Sequence, residues 1–239
     1  SNIFHDIETV PGQSDAVLEA IQAELDAEIE ALEPPSNYKK QETIDKWMEE
    51  QTELLSSQEE FDRRHHKCGL TATKGEILSI AFAVDHLDIQ CLTRELGEDE
   101  SQLLMDFWVS LKEQLIEVSV SNRPDYNGNC WVGHNCRGFD LPFIWQRSVI
   151  LGVPPQIYLP KASGPSDARV FDTMTEWAGW GLTISQDALC RALGLPMKSG
   201  MTGADVYDYA REGRYKEIRD YNMDDVQAVR MIHRRMNFQ

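Results

Sequence analysis

The chain opens on a short apolar run that ends in charge. In Ile3-Phe4-His5-Asp6-Ile7-Glu8-Thr9 the apolar residues predict a strand. Side chains alternate across a strand, so Asp6 and Glu8 share one face, and His5 and Ile7 the other. Pro11-Gly12 breaks the run. Val17, Leu18, Ile21, Leu25, Ile29 and Leu32 then recur at three-to-four spacing, which predicts a helix ended by Pro34-Pro35. Ile44, Trp47, Met48, Leu54, Leu55 and Phe61 form the stripe of a second helix, so the segment reads as an antiparallel helical hairpin.

From Glu76 to Val84 small and apolar residues occupy both faces, as suits a central strand. Asp85-His86 turns it back into Ile89–Thr93. Residues 99–117 carry Leu103, Leu104, Phe107, Leu111 and Leu115 on one helical stripe, and the polar run Ser119–Asn129 reads as a loop. Cys130-Trp131-Val132-Gly133 predicts a fourth strand that delivers His134 and Asn135 to its end. A helix is expected to begin just after Asp140 and run to about Leu151, with Asp140 suited to capping its free amides. The Gly-, Pro- and Ser-rich stretch 152–167 reads as a loop, and Val170-Phe171-Asp172-Thr173 as the end of a fifth strand. Ser185–Leu193 predicts a short helix broken by Gly194-Leu195-Pro196, and Tyr215–Met236 a long one. The fold class expected is α/β: a mixed five-stranded sheet flanked by helices, in a single domain over 1–239 with an acidic helical hairpin inserted at about 12–68.

The phase of the last helix separates its acids. Ile218, Val229 and Ile232 lie seven before, four after and seven after Asp225, which places Asp225 on the buried stripe with Tyr221 one turn earlier. Asp220 and Asp224 fall alongside Glu217 and Gln227, towards solvent. A carboxylate among aliphatic side chains is costly unless it is paired or coordinated. Asp225 therefore joins Asp6 and Glu8 as a candidate oxygen ligand of a hard divalent cation.

Composition narrows the classes. With 239 residues, 41% of them hydrophobic, the chain can bury one substantial core. Cys68, Cys91, Cys130, Cys136 and Cys190 are odd in number and form no close pair, so neither a disulfide framework nor a zinc ribbon is expected; reduced thiols in a cytoplasm are. No apolar run approaches the length of a membrane span, and no signal peptide is recognised. The formal net charge of −17 argues against a generic nucleic-acid binder, but 15 acids against Lys39, Lys40 and Lys46 place −12 of it in residues 14–62. That acidic insertion reads either as a solvated surface element or as a docking face for a protein partner. Arg63-Arg64-His65-His66-Lys67 at its exit could touch a phosphate backbone or simply be solvated.

Taken together, Asp6-x-Glu8, the stretch Gly133-His134-Asn135-Cys136-Arg137-Gly138-Phe139-Asp140 and Tyr221-Asn222-Met223-Asp224-Asp225 resemble, in order and spacing, the three motifs of the DEDD exonuclease superfamily. Tyr221, four residues before the last Asp, resembles the DEDDy branch, which includes RNase D and the proofreading domains of family B DNA polymerases. The likeness is greatest to stand-alone relatives of those proofreading domains. It covers residues 1–10 and about 75–236, and 12–68 more loosely.

The resemblance implies an RNase H-like fold and a metal-dependent 3′-5′ exonuclease. Such an enzyme hydrolyses a single-stranded 3′ end, DNA favoured over RNA, to nucleoside 5′-monophosphates with two Mg²⁺ or Mn²⁺ ions. By the same resemblance Asp6 bridges both ions, Glu8 and Asp225 complete the site that activates water, and Asp140 holds the ion nearer the leaving group. Tyr221 orients the water, while Asn135 and Lys198 contact the substrate. Asp172 supports the structure without ligating metal. His5 stands where relatives carry an apolar residue, and strand alternation makes it a packed histidine rather than a ligand. Trp177 and Trp180 could stack on a terminal base or fill the core. Two other readings stay open: an RNA-processing exoribonuclease similar to RNase D, and a non-catalytic binding module working through the acidic hairpin.

Overall fold

The computed structural model describes residues 1–119, 128–160, 167–196 and 200–239. Lys198, and parts of the loops expected at 119–129 and 152–167, lie outside the described residues. The chain divides into two compact units, Ser1–Thr9 with Glu76–Gln239, and Val10–Gly75.

The larger unit is built on a five-stranded sheet. Its strands are β1 (Asn2–Pro11), β2 (Gly75–Val84), β3 (Gln90–Thr93), β4 (Cys130–Gly133) and β5 (Val170–Asp172), in the order β3-β2-β1-β4-β5. β1 and β4 pair in parallel with Ile3 opposite Trp131, and β4 and β5 in parallel with Val132 opposite Phe171. β2 and β3 pair antiparallel. The Asp85 amide donates to the Asn2 carbonyl at 2.9 Å and the Gly12 amide to the Lys74 carbonyl at 2.8 Å, so β1 and β2 also run antiparallel. The expected mixed sheet is therefore present, in an order that puts β1 at the centre.

Alternation along β1 sorts the two faces. Phe4, an even position, joins Ala81, Val132, Val226 and Val229 in one apolar cluster beneath α9 (Tyr215–Met236), the helix that follows the short α8 (Val206–Arg211). On the odd side, the buried His5 meets Trp131 edge to face, with ring centroids 5.2 Å apart. Trp131 in turn contacts Trp108 of α4 (Glu100–Val118), and Phe107 of that helix packs on Phe82. His5 is thus a packed residue on the face away from Asp6 and Glu8. Gly133 ends β4 because nothing larger fits: a Cβ there would lie 2.5 Å from the Cys136 Cβ.

An ion pair locks α4 to α5 (Asp140–Leu151). Glu100 and Arg147 are both buried, with the Arg147 Nε 3.0 Å and Nη2 2.5 Å from the two carboxylate oxygens. Glu100 also accepts the Ile77 amide of β2 at 2.8 Å. Three elements therefore share one buried charge pair.

The unit Val10–Gly75 holds three helices, α1 (Asp15–Glu30), α2 (Gln41–Leu55) and α3 (Gln58–Lys67), where the apolar stripe predicted two. The stripe runs through Ser56-Ser57, but Ser57 adopts extended backbone and its hydroxyl accepts the Glu60 amide at 3.2 Å, which starts a new helix. Ile21, Leu25 and Cys68 form its small core, with Leu55 and Phe61 against them. Arg64 is held by Glu60 at 2.9 Å and by both oxygens of Glu28 at 2.6 Å, and Arg63 by Glu60. Most of the basic cluster's charge is thus spent inside its own unit.

Glu100→Ala should cost about 3–5 kcal/mol in urea unfolding, because it leaves a buried guanidinium without its carboxylate. Pairing it with Arg147→Met should recover part of that loss.

Candidate metal centre

Three elements converge at the end of β1. Strand alternation turns Asp6 and Glu8 towards α9, and helix phase turns Asp225 back towards them. Each of the three offers a carboxylate oxygen within 4.8 Å of the others, and Glu8 and Asp225 are buried. Asp220 and Asp224 on the same helix are exposed, and Asp220 pairs with Lys216 at 2.5 Å.

Asp140 of α5 lies beside this group but is not one of the three carboxylates brought within 4.8 Å of one another. The helix is capped by Phe139, so Asp140 is its first residue and not the N-cap that the sequence suggested. Its carboxylate instead accepts the Ile7 amide of β1 at 3.2 Å. Burial, then the charge of Asp6, pushes the Asp140 carboxyl well above the usual carboxylate range. Both causes disfavour the ionised form, the first by removing its water and the second by placing a like charge beside it.

Asn222, which sequence reasoning passed over, holds Asp6 in place. It is fully buried, and its amide donates to the Asp6 Oδ2 at 2.7 Å. Its carbonyl accepts the Ser79 hydroxyl at 3.0 Å, and Ser79 lies 2.9 Å from Thr93 on β3. A carboxylate can only accept, so the amide orientation is fixed from both ends.

A second brace is Asp172. Its Oδ1 accepts the Asn135 amide at 2.8 Å and the Met174 amide at 3.0 Å, and its Oδ2 accepts the Arg137 amide at 3.0 Å. It thereby caps α6 (Thr173–Ala178) and fixes the turn that follows β4. In that turn Asn135 is exposed and takes a left-handed φ of 59°, a conformation Asn tolerates better than most residues. α6 itself was not anticipated. It is a short helix started by that cap.

The carboxylates floor a cleft of about 290 Å³ whose wall includes Tyr221, Met201, Thr202, and Ser185, Gln186 and Asp187. Ser185 caps α7 (Gln186–Leu193), and the Gln186 side chain donates to the Asp225 carbonyl at 2.9 Å. Burial, followed by the charges of Glu8 and Asp6, raises the Tyr221 phenol above its ordinary value, so it stays protonated at neutral pH. Asp187 is a further acid at the wall that the sequence reading did not single out. Among the described residues lining the cleft there is no Lys, Arg or His.

Family comparison covers the greater part of the chain. Residues 73–239 match a family described as predicted 3′-5′ exonucleases related to the exonuclease domain of PolB. The chain belongs to that family. The match includes Asn135, Asp140, Tyr221 and Asp225; Asp6 and Glu8 precede it, and the sheet brings them to the same place. Among solved structures, the family B DNA polymerase from the hyperthermophilic archaeon Pyrobaculum calidifontis is similar over 70% of this chain, at 20% identity and a TM-score of 0.51. At that identity the likeness is one of fold, an RNase H-like exonuclease fold, and the chain spans 22% of the polymerase's length. No curated protein matches. Among the described residues no helix is long and apolar enough to cross a membrane.

Asp172→Ala would strip three amides of their acceptor, two of them in the turn that carries Asn135. It should cost about 3 kcal/mol or more in chemical denaturation, with Asp172→Asn intermediate, since an amide oxygen replaces only part of the acceptor capacity.

Proposed function

We propose that this member of the PolB-related exonuclease family is a metal-dependent 3′-5′ exonuclease acting on single-stranded nucleic acid, with DNA as the favoured strand. The observation that carries the reading is a cleft, in a nuclease family, whose charged residues among the described lining are all acids. Asp6, Glu8 and Asp225 converge, and the described lining offers no cationic side chain to meet a phosphodiester. A polyanion can enter such a site only when bound cations reverse its sign. The donor set fits hard divalent ions, because every ligand candidate is a carboxylate oxygen, as Mg²⁺ and Mn²⁺ prefer.

Asp6, Glu8, Asp140 and Asp225 would hold two such ions. Bound there, the ions would supply charge neutralisation, a more acidic water and stabilisation of the leaving 3′ oxygen. The chain's own residues arrange the rest. Asn222 donates to one oxygen of Asp6 and fixes the orientation of that carboxylate. Tyr221 remains protonated and so acts as a hydrogen-bond donor that orients the attacking water rather than as a base. Asn135, at the exposed turn after β4, is suited to contact the terminal nucleotide, and Lys198 to meet a substrate phosphate. Water adds to the phosphorus of the terminal nucleotide, the P–O3′ bond breaks, and a proton passes to the departing 3′ oxygen. The products are a nucleoside 5′-monophosphate and a strand one residue shorter.

The test offers 5′-labelled single-stranded DNA, and matching RNA, to the protein with Mg²⁺, Mn²⁺ or EDTA. A ladder shortening from the 3′ end, present with metal and absent with EDTA, is expected, faster on DNA. Faster cleavage of RNA would instead make the protein an exoribonuclease, and no cleavage of either strand would refute the proposal. Asp6→Asn and Asp225→Asn should each lower turnover by at least about 10³-fold while the protein stays folded by circular dichroism. Tyr221→Phe should lose about 10²-fold in kcat, the scale of one water-positioning contact. Calorimetric titration with Mn²⁺ should show weakened binding in both Asp variants and near-normal binding in Tyr221→Phe.

A further inference from the structure

The chain has six tryptophans, and two of them are exposed to solvent. Trp108 and Trp131 are fully buried, whereas Trp177 is 48% exposed, Trp180 62% and the nearby Leu182 64%. Core packing, one of the two roles open to this pair from sequence, is therefore excluded. Trp177 lies in the last turn of α6, and Trp180 and Leu182 on the segment that leaves it, where Gly179 and Gly181 take left-handed φ values of 89° and 79° and have open space around them. Leaving such apolar area in water costs stability with no structural return.

The base of this segment is fastened beside the cleft. His134, the residue after β4, faces the Thr173 hydroxyl through Nδ1 at 2.9 Å and the Ile184 carbonyl through Nε2 at 2.9 Å. A carbonyl only accepts, so Nε2 carries the proton. One imidazole thus closes both ends of the segment 173–184 onto the strand end that presents Asn135. The next residues, Ser185, Gln186 and Asp187, line the cleft itself.

We infer that Trp177 and Trp180 form a stacking platform for the unpaired bases of the strand whose 3′ end occupies the cleft. This inference rests on the exonuclease reading and names how that site grips its substrate. Aromatic faces take any base without regard to sequence, which suits an enzyme that must step along a strand. Trp180 is five residues from Ser185, at most about 18 Å even if fully extended. A stacked strand rises about 3.4 Å per nucleotide, so the platform meets bases within about five nucleotides of the cleft. A second copy of the chain is a poorer occupant, since three side chains fall far short of the 20–30 residues per side, roughly, of a stable interface.

Two substrates separate the platform from the chemistry: the p-nitrophenyl ester of thymidine 5′-monophosphate, which fills only the cleft, and single-stranded oligothymidylates of two to ten residues. Wild-type protein should hydrolyse the ester and show a KM that falls as the oligomer lengthens to about five or six residues. Trp177→Ala and Trp180→Ala should leave ester hydrolysis unchanged and raise KM for the decamer about 10-fold each, while Trp180→Phe retains most of the affinity. With Mg²⁺ present and a decamer whose phosphorothioate linkages resist hydrolysis, wild-type tryptophan fluorescence should be quenched, and the double Ala variant should lose most of that quenching. Equal decamer affinity in wild-type and double variant overturns the platform whether or not the ester is cleaved. Self-association that the double variant abolishes, with DNA affinity unchanged, overturns it too and assigns the face to a second copy. An ester left intact by wild-type protein overturns instead the exonuclease reading.

Discussion

Mutual repulsion of carboxylates is the constraint on which the rest of this structure turns. Asp6, Glu8 and Asp225 bring oxygens within 4.8 Å of one another, and burial together with the nearby charge of Asp6 raises the proton affinity of Asp140. Left alone, such a group would spread apart. It is held by contacts that come from outside it: the Asn222 amide on Asp6, the Ile7 amide on Asp140, and Gln186 on the backbone of Asp225. None of these bonds lies between two acids. The sheet and α9 supply the rigidity, and the buried Glu100–Arg147 pair ties two helices to β2 at some distance from the cluster.

Much of this was legible in the chain. Period-two alternation over residues 3–9 told which β1 side chains face α9 and which face Trp131. The phase of Ile218, Val229 and Ile232 separated Asp225 from its exposed neighbours. Both arguments are local, and local geometry is what sequence periodicity encodes. Asn222 escaped because its role depends on partners 143 and 216 residues away, Ser79 and Asp6, and no spacing within α9 announces them. Its buried position on the helical stripe was the available clue. The break between α2 and α3 did carry a local sign, Ser57 three residues before Glu60, which the apolar stripe running across it obscured. Trp177 and Trp180 were undecidable because a six-residue helix and the Gly-flanked turn after it are too short to show a period from which a face can be read.

The charge distribution gives these details a common sense. A chain of net charge −17 repels a polyanion at long range, so electrostatic steering cannot be how a nucleic acid finds it. On the proposed exonuclease reading, recognition is short-ranged, through cations bound at the carboxylates and through faces that need no charge at all. Bases in a duplex already stack on their neighbours and have no free face to offer an indole. An unpaired 3′ end does. In the reading proposed here, weak steering and aromatic capture together act as a selection: paired ends gain little on contact, whereas frayed or single-stranded ends gain a stacking partner and reach the acidic floor. The same acidity that argues against a generic nucleic-acid binder is consistent with an enzyme that recognises only the end it can hold by its bases.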